Sequence, residues 1–309
     1  MANDAFVVLG LSVAGIAAAL ELASKGQRVE LYEIDDDLTL REQFVISDTS
    51  LAREPLSGQD YEDLARENLR DNGVHLMDEY RFVRLQPTSS DDGPDSNEMV
   101  IRHRAESVRK LEVNRVLFAP NGAPGSFESL IDADCKRAFG LGLSLSAWSD
   151  APFFRAKRVA VVGKSAWGLE QAAFVARYAA SVKVFADVGE FTAPPELVRA
   201  ISDAAVELAE SVKLTDVILS PERTISKIVY SDSHGRHEEE FEGVFLAPPI
   251  QPNWEQVAGK IASQMLVTKG ALFASGIANF IDYNAYAKLF EDGVRIAREI
   301  LEILSVRRA

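Results

Sequence analysis

Short apolar runs recur along the chain between polar turns, and two of them belong to one larger pattern that appears twice. Residues 6–33 read FVVLGLSVAGIAAALELASKGQRVELYE, and residues 159–187 read VAVVGKSAWGLEQAAFVARYAASVKVFAD. Each stretch predicts an apolar strand, a glycine turn, a helix of small residues and a second strand that ends in an acid. That order is the βαβ unit that binds dinucleotides.

The pattern elsewhere fills in the frame. Residues 34–58 are polar and irregular and carry the acidic run Asp35-Asp36-Asp37. An amphipathic helix is predicted over 59–73, with Tyr61, Leu64 and Leu69 as its apolar stripe and Gly73 as its stop. Strands are predicted at 75–77, 80–85, 99–103 and 111–119, with a solvated acidic loop over 87–98. After a crossing segment, 120–157, and the second βαβ unit, a helix is predicted over 196–211 and meander strands over 212–219 and 224–230. Apolar strands at 244–248 and 271–275 precede a C-terminal helix over 289–304. The order suggests one nucleotide domain with a second inserted in it, and no shorter repeat is present.

The two turns carry the candidate chemistry. In the first, Gly10 permits the tight turn, Gly15 lets helix and strand approach, and Ser12 stands where a second glycine usually meets a pyrophosphate. In the second, Gly163, Ser165 and Gly168 hold the same places, with the bulky Trp167 beside the expected phosphate path. Glu33 follows Gly10 by 23 residues and Asp187 follows Gly163 by 24, so either acid is placed to accept the hydroxyls of a ribose.

The chain has 309 residues, 47% of them apolar and 26% charged, which fits two globular domains. A net charge of −14 argues against nucleic acid and anionic membrane as partners. No secretion signal or membrane span is indicated, which makes the cytoplasm the expected location. Cys135 is the one cysteine, so the chain can form no internal disulfide. His234 and His237 lie in a predicted turn with no fixed Cys, His or acid pair nearby, which reads as a solvated turn and gives no metal site.

Three stretches resemble the low-molecular-weight thioredoxin reductase family: FVVLGLSVAG, GLSLSAWSDAPFFRAKRVAVVG, and EGVFLAPPIQPN followed by GALFASG. The resemblance covers nearly the whole chain. It implies an α/β fold of two Rossmann-like nucleotide-binding domains. The FAD-type domain would comprise residues 1–118 and 245–309, with an NAD(P)-type domain, 119–244, inserted in it. It also implies a homodimer. Most members pass electrons from NADPH through FAD to a CxxC pair and on to thioredoxin.

This chain departs from the family at each chemical step. Where the family has roughly S-x-C-A-T-C-D, the run here is Ser144-Leu145-Ser146-Ala147-Trp148-Ser149-Asp150. Serines replace both cysteines, so this motif cannot carry out dithiol–disulfide exchange. Asp150 matches the family's proton-donating acid without the dithiol it served. Trp148 could stack on a flavin, fill the volume of an absent one, or pack between domains. The family's HRRxxxR, which holds the 2′-phosphate of NADPH, becomes Ala186-Asp187-Val188-Gly189-Glu190-Phe191-Thr192. The expectation is NADH over NADPH, or an empty pocket. At the FAD site the resemblance keeps Gly10, Gly15, Glu33 and Gly276, but Ile277 and Ala285 stand where the family has polar partners.

Two functions follow as expectations. One is a FAD-dependent oxidoreductase that takes electrons from NADH or another donor and passes them to a non-disulfide acceptor. A second flavin in the inserted domain, or ferredoxin as donor, are variants of it. The other is a non-catalytic homologue kept as a nucleotide sensor or protein-binding subunit.

Overall fold

The computed structural model describes residues 5–35, 37–43, 45–46, 51–87, 97–163, 166–186, 195–209, 212–254, 272–279 and 286–308. The chain forms two compact units, Met1–Ala123 with Gln251–Ala309, and Pro124–Ile250.

The first unit opens with β1 (Phe6–Leu9), α1 (Val13–Ser24) and β2 (Val29–Ile34). α2 (Gly58–Asp71) starts where the Ser57 hydroxyl oxygen accepts the Asp60 N–H, and the chain leaves it through Gly73 at φ 76°. β3 (His75–Pro87) is one strand of 13 residues where the apolar pattern predicts two. It pairs parallel with β2 and antiparallel with β4 (Asn97–His103), and register shifts on both sides account for the broken alternation. The single strand predicted over 111–119 is instead two. β5 (Val108–Val113) continues the antiparallel ladder, and after Asn114-Arg115 the chain enters β6 (Val116–Phe118) beside β1. β7 (Ala123–Pro124) lies where the chain leaves the unit.

The second unit contains β8 (Leu143–Ser144), the short helix α3 (Ala147–Asp150), β9 (Arg158–Gly163), α4 (Ala166–Val175) and β10 (Ser181–Phe185). α5 (Pro195–Asp203) is about half the helix predicted over 196–211. Its stripe, Leu197 and Ile201, is buried, but Ala205 turns to φ 50° and β11 (Glu207–Ala209) joins β10 in parallel. Apolar spacing alone runs on past this break.

A three-stranded antiparallel meander follows: β12 (Lys213–Leu219), β13 (Ile225–Asp232) and β14 (Gly235–Glu240). β15 (Gly243–Ala247) then completes a parallel sheet of order β11-β10-β9-β15-β8. The core lies between one face of this sheet and the meander, where Ala160, Val162, Phe185 and Leu246 meet Leu214, Ile228 and Tyr230. β16 (Ile250–Gln251) marks the return crossing.

Back in the first unit, β17 (Leu272–Ala274) adds to a seven-stranded sheet of order β17-β6-β1-β2-β3-β4-β5. The strands from β17 to β3 are parallel, which puts their C-terminal ends at one edge. α6 (Tyr286–Arg308) packs on α1. Small residues set that approach: a Cβ at Gly293 would lie 2.2 Å from the Ala14 carbonyl oxygen. Both units are therefore Rossmann-like. Among the described residues no helix is long and apolar enough to cross a membrane.

Candidate functional site

The chain turns sharply between β1 and α1. Gly10 has φ 113°, and a Cβ there would lie 2.0 Å from the Ala119 carbonyl oxygen. No other residue fits that position. Ser12 caps α1: its hydroxyl oxygen accepts the Gly15 N–H at 3.0 Å while its O–H donates to Ala119 O at 2.7 Å. The hydroxyl that replaces the second glycine is thus tied to the end of β6. The N–H groups of Val13 and Ala14 have no acceptor within the helix, as at any helix start, and they lie at its positive end. Gly15 sits directly above the turn, with its would-be Cβ 2.2 Å from Gly10 O.

A small crevice, with a free volume of about 20 Å³, opens beside this turn, lined among others by Leu11, Glu33, Ile34, Asp37, Glu62 and Asn121. These residues follow β1, end or follow β2, face in from α2 and follow β6. Open parallel sheets bind ligands at this edge, where neighbouring crossovers part.

Glu33 is held by two arginines that the sequence pattern does not reveal. Arg66 of α2 binds one carboxylate oxygen and Arg81 of β3 the other, at 2.9 Å. Arg66 also binds Glu62 at 2.9 Å and Asp78 at 2.5 Å. Arg41 binds Glu62 at 2.9 Å and Asp63 at 2.6 Å. Burial works against the Arg66 charge, but its bonds to Glu33 and Glu62 outweigh it and raise its pKa above the ordinary arginine value. Asp78 is partly buried, yet Arg66 and Arg70 hold its carboxyl below the usual range. Each Glu33 oxygen retains a second lone pair, so the acid can still accept a ribose hydroxyl. No local signal links these partners, because α2 and β3 lie far from β2 in sequence.

Gly276 follows β17 with φ 66° and donates its N–H to Asp292 of α6 at 2.7 Å. The Ser275 hydroxyl donates to the same oxygen at 2.9 Å, and Ile277 is buried. An acid from α6 therefore anchors this turn, while an apolar side chain follows it. Asp292 interrupts an apolar stripe, which is the only sequence clue to it. Ala285 lies outside the described residues.

In the second unit Gly163 ends β9, and a Cβ there would lie 2.9 Å from Ala247 O. Gly168 comes within 3.6 Å of Gly163 Cα, measured from its own would-be Cβ. Trp167 is buried in the first turn of α4. Ser165 and Asp187 lie outside the described residues, as does the stretch after Ala186 that replaces the family's arginines.

The serine motif forms the start of α3. The Ser146 hydroxyl oxygen accepts the Ser149 N–H at 3.3 Å, and Asp150 accepts the hydroxyls of Ser144 and Ser149, each at 2.7 Å. Trp148 is 46% exposed and lies 4.9 Å, centre to centre, from the Phe174 ring of α4. Cys135 is buried in the core of this unit, where burial pushes its thiol pKa up. His237 faces Asp232 at 2.8 Å and stacks on Tyr230.

Two Rossmann-like units, each with a glycine where the first strand of its βαβ unit ends, have the architecture of two-domain nucleotide-binding proteins. The comparisons agree. The family model "Pyridine nucleotide-disulphide oxidoreductase" matches residues 4–242, and the chain belongs to that family. Members are flavoprotein oxidoreductases of thioredoxin reductase-like fold, and membership implies FAD and a pyridine nucleotide.

The F component of alkyl hydroperoxide reductase from Pseudomonas aeruginosa is 29% identical over 281 residues, covering 84% of this chain and 49% of that protein. Thioredoxin reductase of Aquifex aeolicus is 27% identical over 195 residues, covering 62% of this chain and 56% of that protein. The chain thus spans about half the length of the curated relatives it matches. Among solved structures, Lactococcus lactis thioredoxin reductase matches with a TM-score of 0.74 at 17% identity, over 98% of this chain and 99% of that one. The T. acidophilum enzyme matches with 0.74 at 15%, over the same shares. At that identity the likeness concerns the fold.

Proposed function

We propose that the chain is a thioredoxin reductase-like flavoprotein without a redox dithiol: a FAD-dependent oxidoreductase that uses NADH or another donor and a non-disulfide acceptor. The observation that carries this reading is the first unit's turn. Gly10 has no room for a side chain, α1 points its positive end at the turn, and the cavity beside it reaches Glu33. These residues fit the adenosine diphosphate part of FAD. Gly10, Ser12, Gly15 and the α1 N-terminus would bind the diphosphate. Glu33, fixed in place by Arg66 and Arg81, would orient the ribose, and Gly276 would lie by the chain that leads to the flavin. FAD supplies the electron-transfer chemistry, and the protein supplies position and electrostatics.

In the second unit, Gly163, Ser165, Gly168 and Asp187 are the proposed NADH residues. An acid at 187 without arginines disfavours the 2′-phosphate of NADPH. The serines at 146 and 149 bar a disulfide acceptor at this motif. A homodimer is proposed from the family.

Anaerobic titration of the FAD-loaded protein tests the reading. NADH should bleach the flavin at much lower concentration than NADPH. A flavin that neither nucleotide reduces, and that no other donor reduces faster than free FAD, would remove the catalytic reading. One observation favours the non-catalytic alternative, a nucleotide sensor or protein-binding subunit: buried Ile277 places an apolar side chain where the family has an acid.

A further inference from the structure

Asp37 occupies the first unit's crevice in a way that the glycine pattern does not require. It belongs to the acidic run after β2, which as sequence looks like surface. The residue keeps partial exposure, but its carboxyl reaches inward to the segment after β6. Oδ2 accepts the Asn121 N–H at 2.8 Å, and the Gly122 N–H bonds to the same carboxyl. Asn121 in turn donates its side-chain amide to Leu11 O at 2.9 Å, inside the glycine turn. Leu38 N–H closes the loop on Gly122 O at 2.7 Å. Leu11, Asp37 and Asn121 all line the cavity. Successive backbone N–H groups facing a crevice make an anion site. Here the chain's own carboxyl takes it.

We infer that Asp37 is a further residue of the dinucleotide site, an internal carboxyl whose charge state sets how tightly the crevice takes a diphosphate. The inference rests on the FAD reading above. An ionised Asp37 fixes a negative charge beside the turn where the diphosphate must lie. A neutral Asp37 keeps the Asn121 and Gly122 N–H groups on its carbonyl oxygen and offers an O–H to a phosphate oxygen.

The surroundings set the direction of titration. Burial pushes the Asp37 pKa well above the ordinary carboxyl value; the N–H bonds from Asn121 and Gly122 oppose this, and the charge of Glu42 adds to it. The other acids around the cavity are Glu33 at the end of β2 and Glu62 of α2. The nearby cations are engaged: Arg41 with Glu62 and Asp63, Arg66 with Glu33, Glu62 and Asp78.

The test is a titration of the full chain with FAD, and separately with ADP, between about pH 5 and pH 9, for wild type and Asp37→Asn. The wild-type affinity should fall about tenfold or more as pH rises, and the variant should stay tight and nearly flat. Melting of the ligand-free proteins gives a second readout. The folded state holds the Asp37 proton more strongly than the unfolded state. Wild type should therefore lose stability relative to the variant as pH climbs from about 4 through the folded pKa. Equal binding by both proteins at every pH, or a stability difference that does not move with pH, overturns the proposal alone. Failure of both proteins to take up FAD or ADP at any pH overturns the FAD reading and this proposal with it.

Discussion

The two units repeat one sequence motif and use it differently. In the first, the glycine is forced into a left-handed conformation against β6, the serine is bound to both strand and helix, and the acid after β2 is clasped by arginines. In the second, Gly163 needs no left-handed backbone, and the residue before Gly168 is a tryptophan sunk into the unit. A shared motif thus gives both units the same strand–helix–strand order and leaves the chemistry to the residues around it. The helix N-terminus of the first turn suits a diphosphate and the clasped Glu33 suits a ribose. The apolar filling of the second suits packing as well as it suits a ligand.

The largest test of this contrast replaces the paired glycines. Gly10→Ala meets both a forbidden φ and a backbone oxygen, and should cost about 3 kcal/mol or prevent folding. Gly163→Ala meets the Ala247 carbonyl oxygen at 2.9 Å and Gly168 Cα at 3.2 Å without a forbidden φ, and should cost about 1–2 kcal/mol. Urea unfolding of the two variants reads the difference, and equal costs would break the comparison.

Arg66→Ala comes next. It leaves Glu33, Glu62 and Asp78 short of a partner at a site with 15% side-chain exposure, and should destabilise the first unit by about 3 kcal/mol. Arg66→Lys keeps the charge but not the fork, and should fall between that variant and wild type in the same denaturation assay.

Smaller still is Ser12→Ala, which removes a helix cap and a bond to Ala119 and should cost about 1–2 kcal/mol. If Ser12 only caps, the loss in FAD affinity measured by fluorescence should not exceed what the loss of stability explains. The smallest effect belongs to Trp148→Ala, a half-exposed ring on Phe174, at about 1 kcal/mol or less by thermal melting. A larger loss would mean that this ring supports more of the second unit than its contacts show.

Both βαβ units are legible in the sequence because strand, turn and helix fall within 30 residues and each glycine answers a local need. Elsewhere local pattern misleads. The apolar spacing of α5 runs on into β11, since an alanine-rich stretch carries no stop signal until Ala205 turns. The run over 111–119 hides a break because β5 and β6 serve different neighbours in the same sheet. At the site, Gly10, Gly15 and Glu33 can be placed by spacing. Arg66 and Arg81 cannot, because only the folded sheet brings α2 and β3 to the end of β2. Asp37 is hidden for another reason. Three consecutive aspartates look solvated, and nothing local marks the one whose carboxyl turns inward to Asn121.

The central claim is that the first unit holds FAD. The most direct measurement is the visible spectrum of the native purified protein before and after incubation with excess FAD, with the chromophore released and identified. The account predicts a flavin spectrum and one FAD per chain, with the second unit left for NADH. A protein that remains colourless after incubation and releases no flavin on denaturation would contradict it.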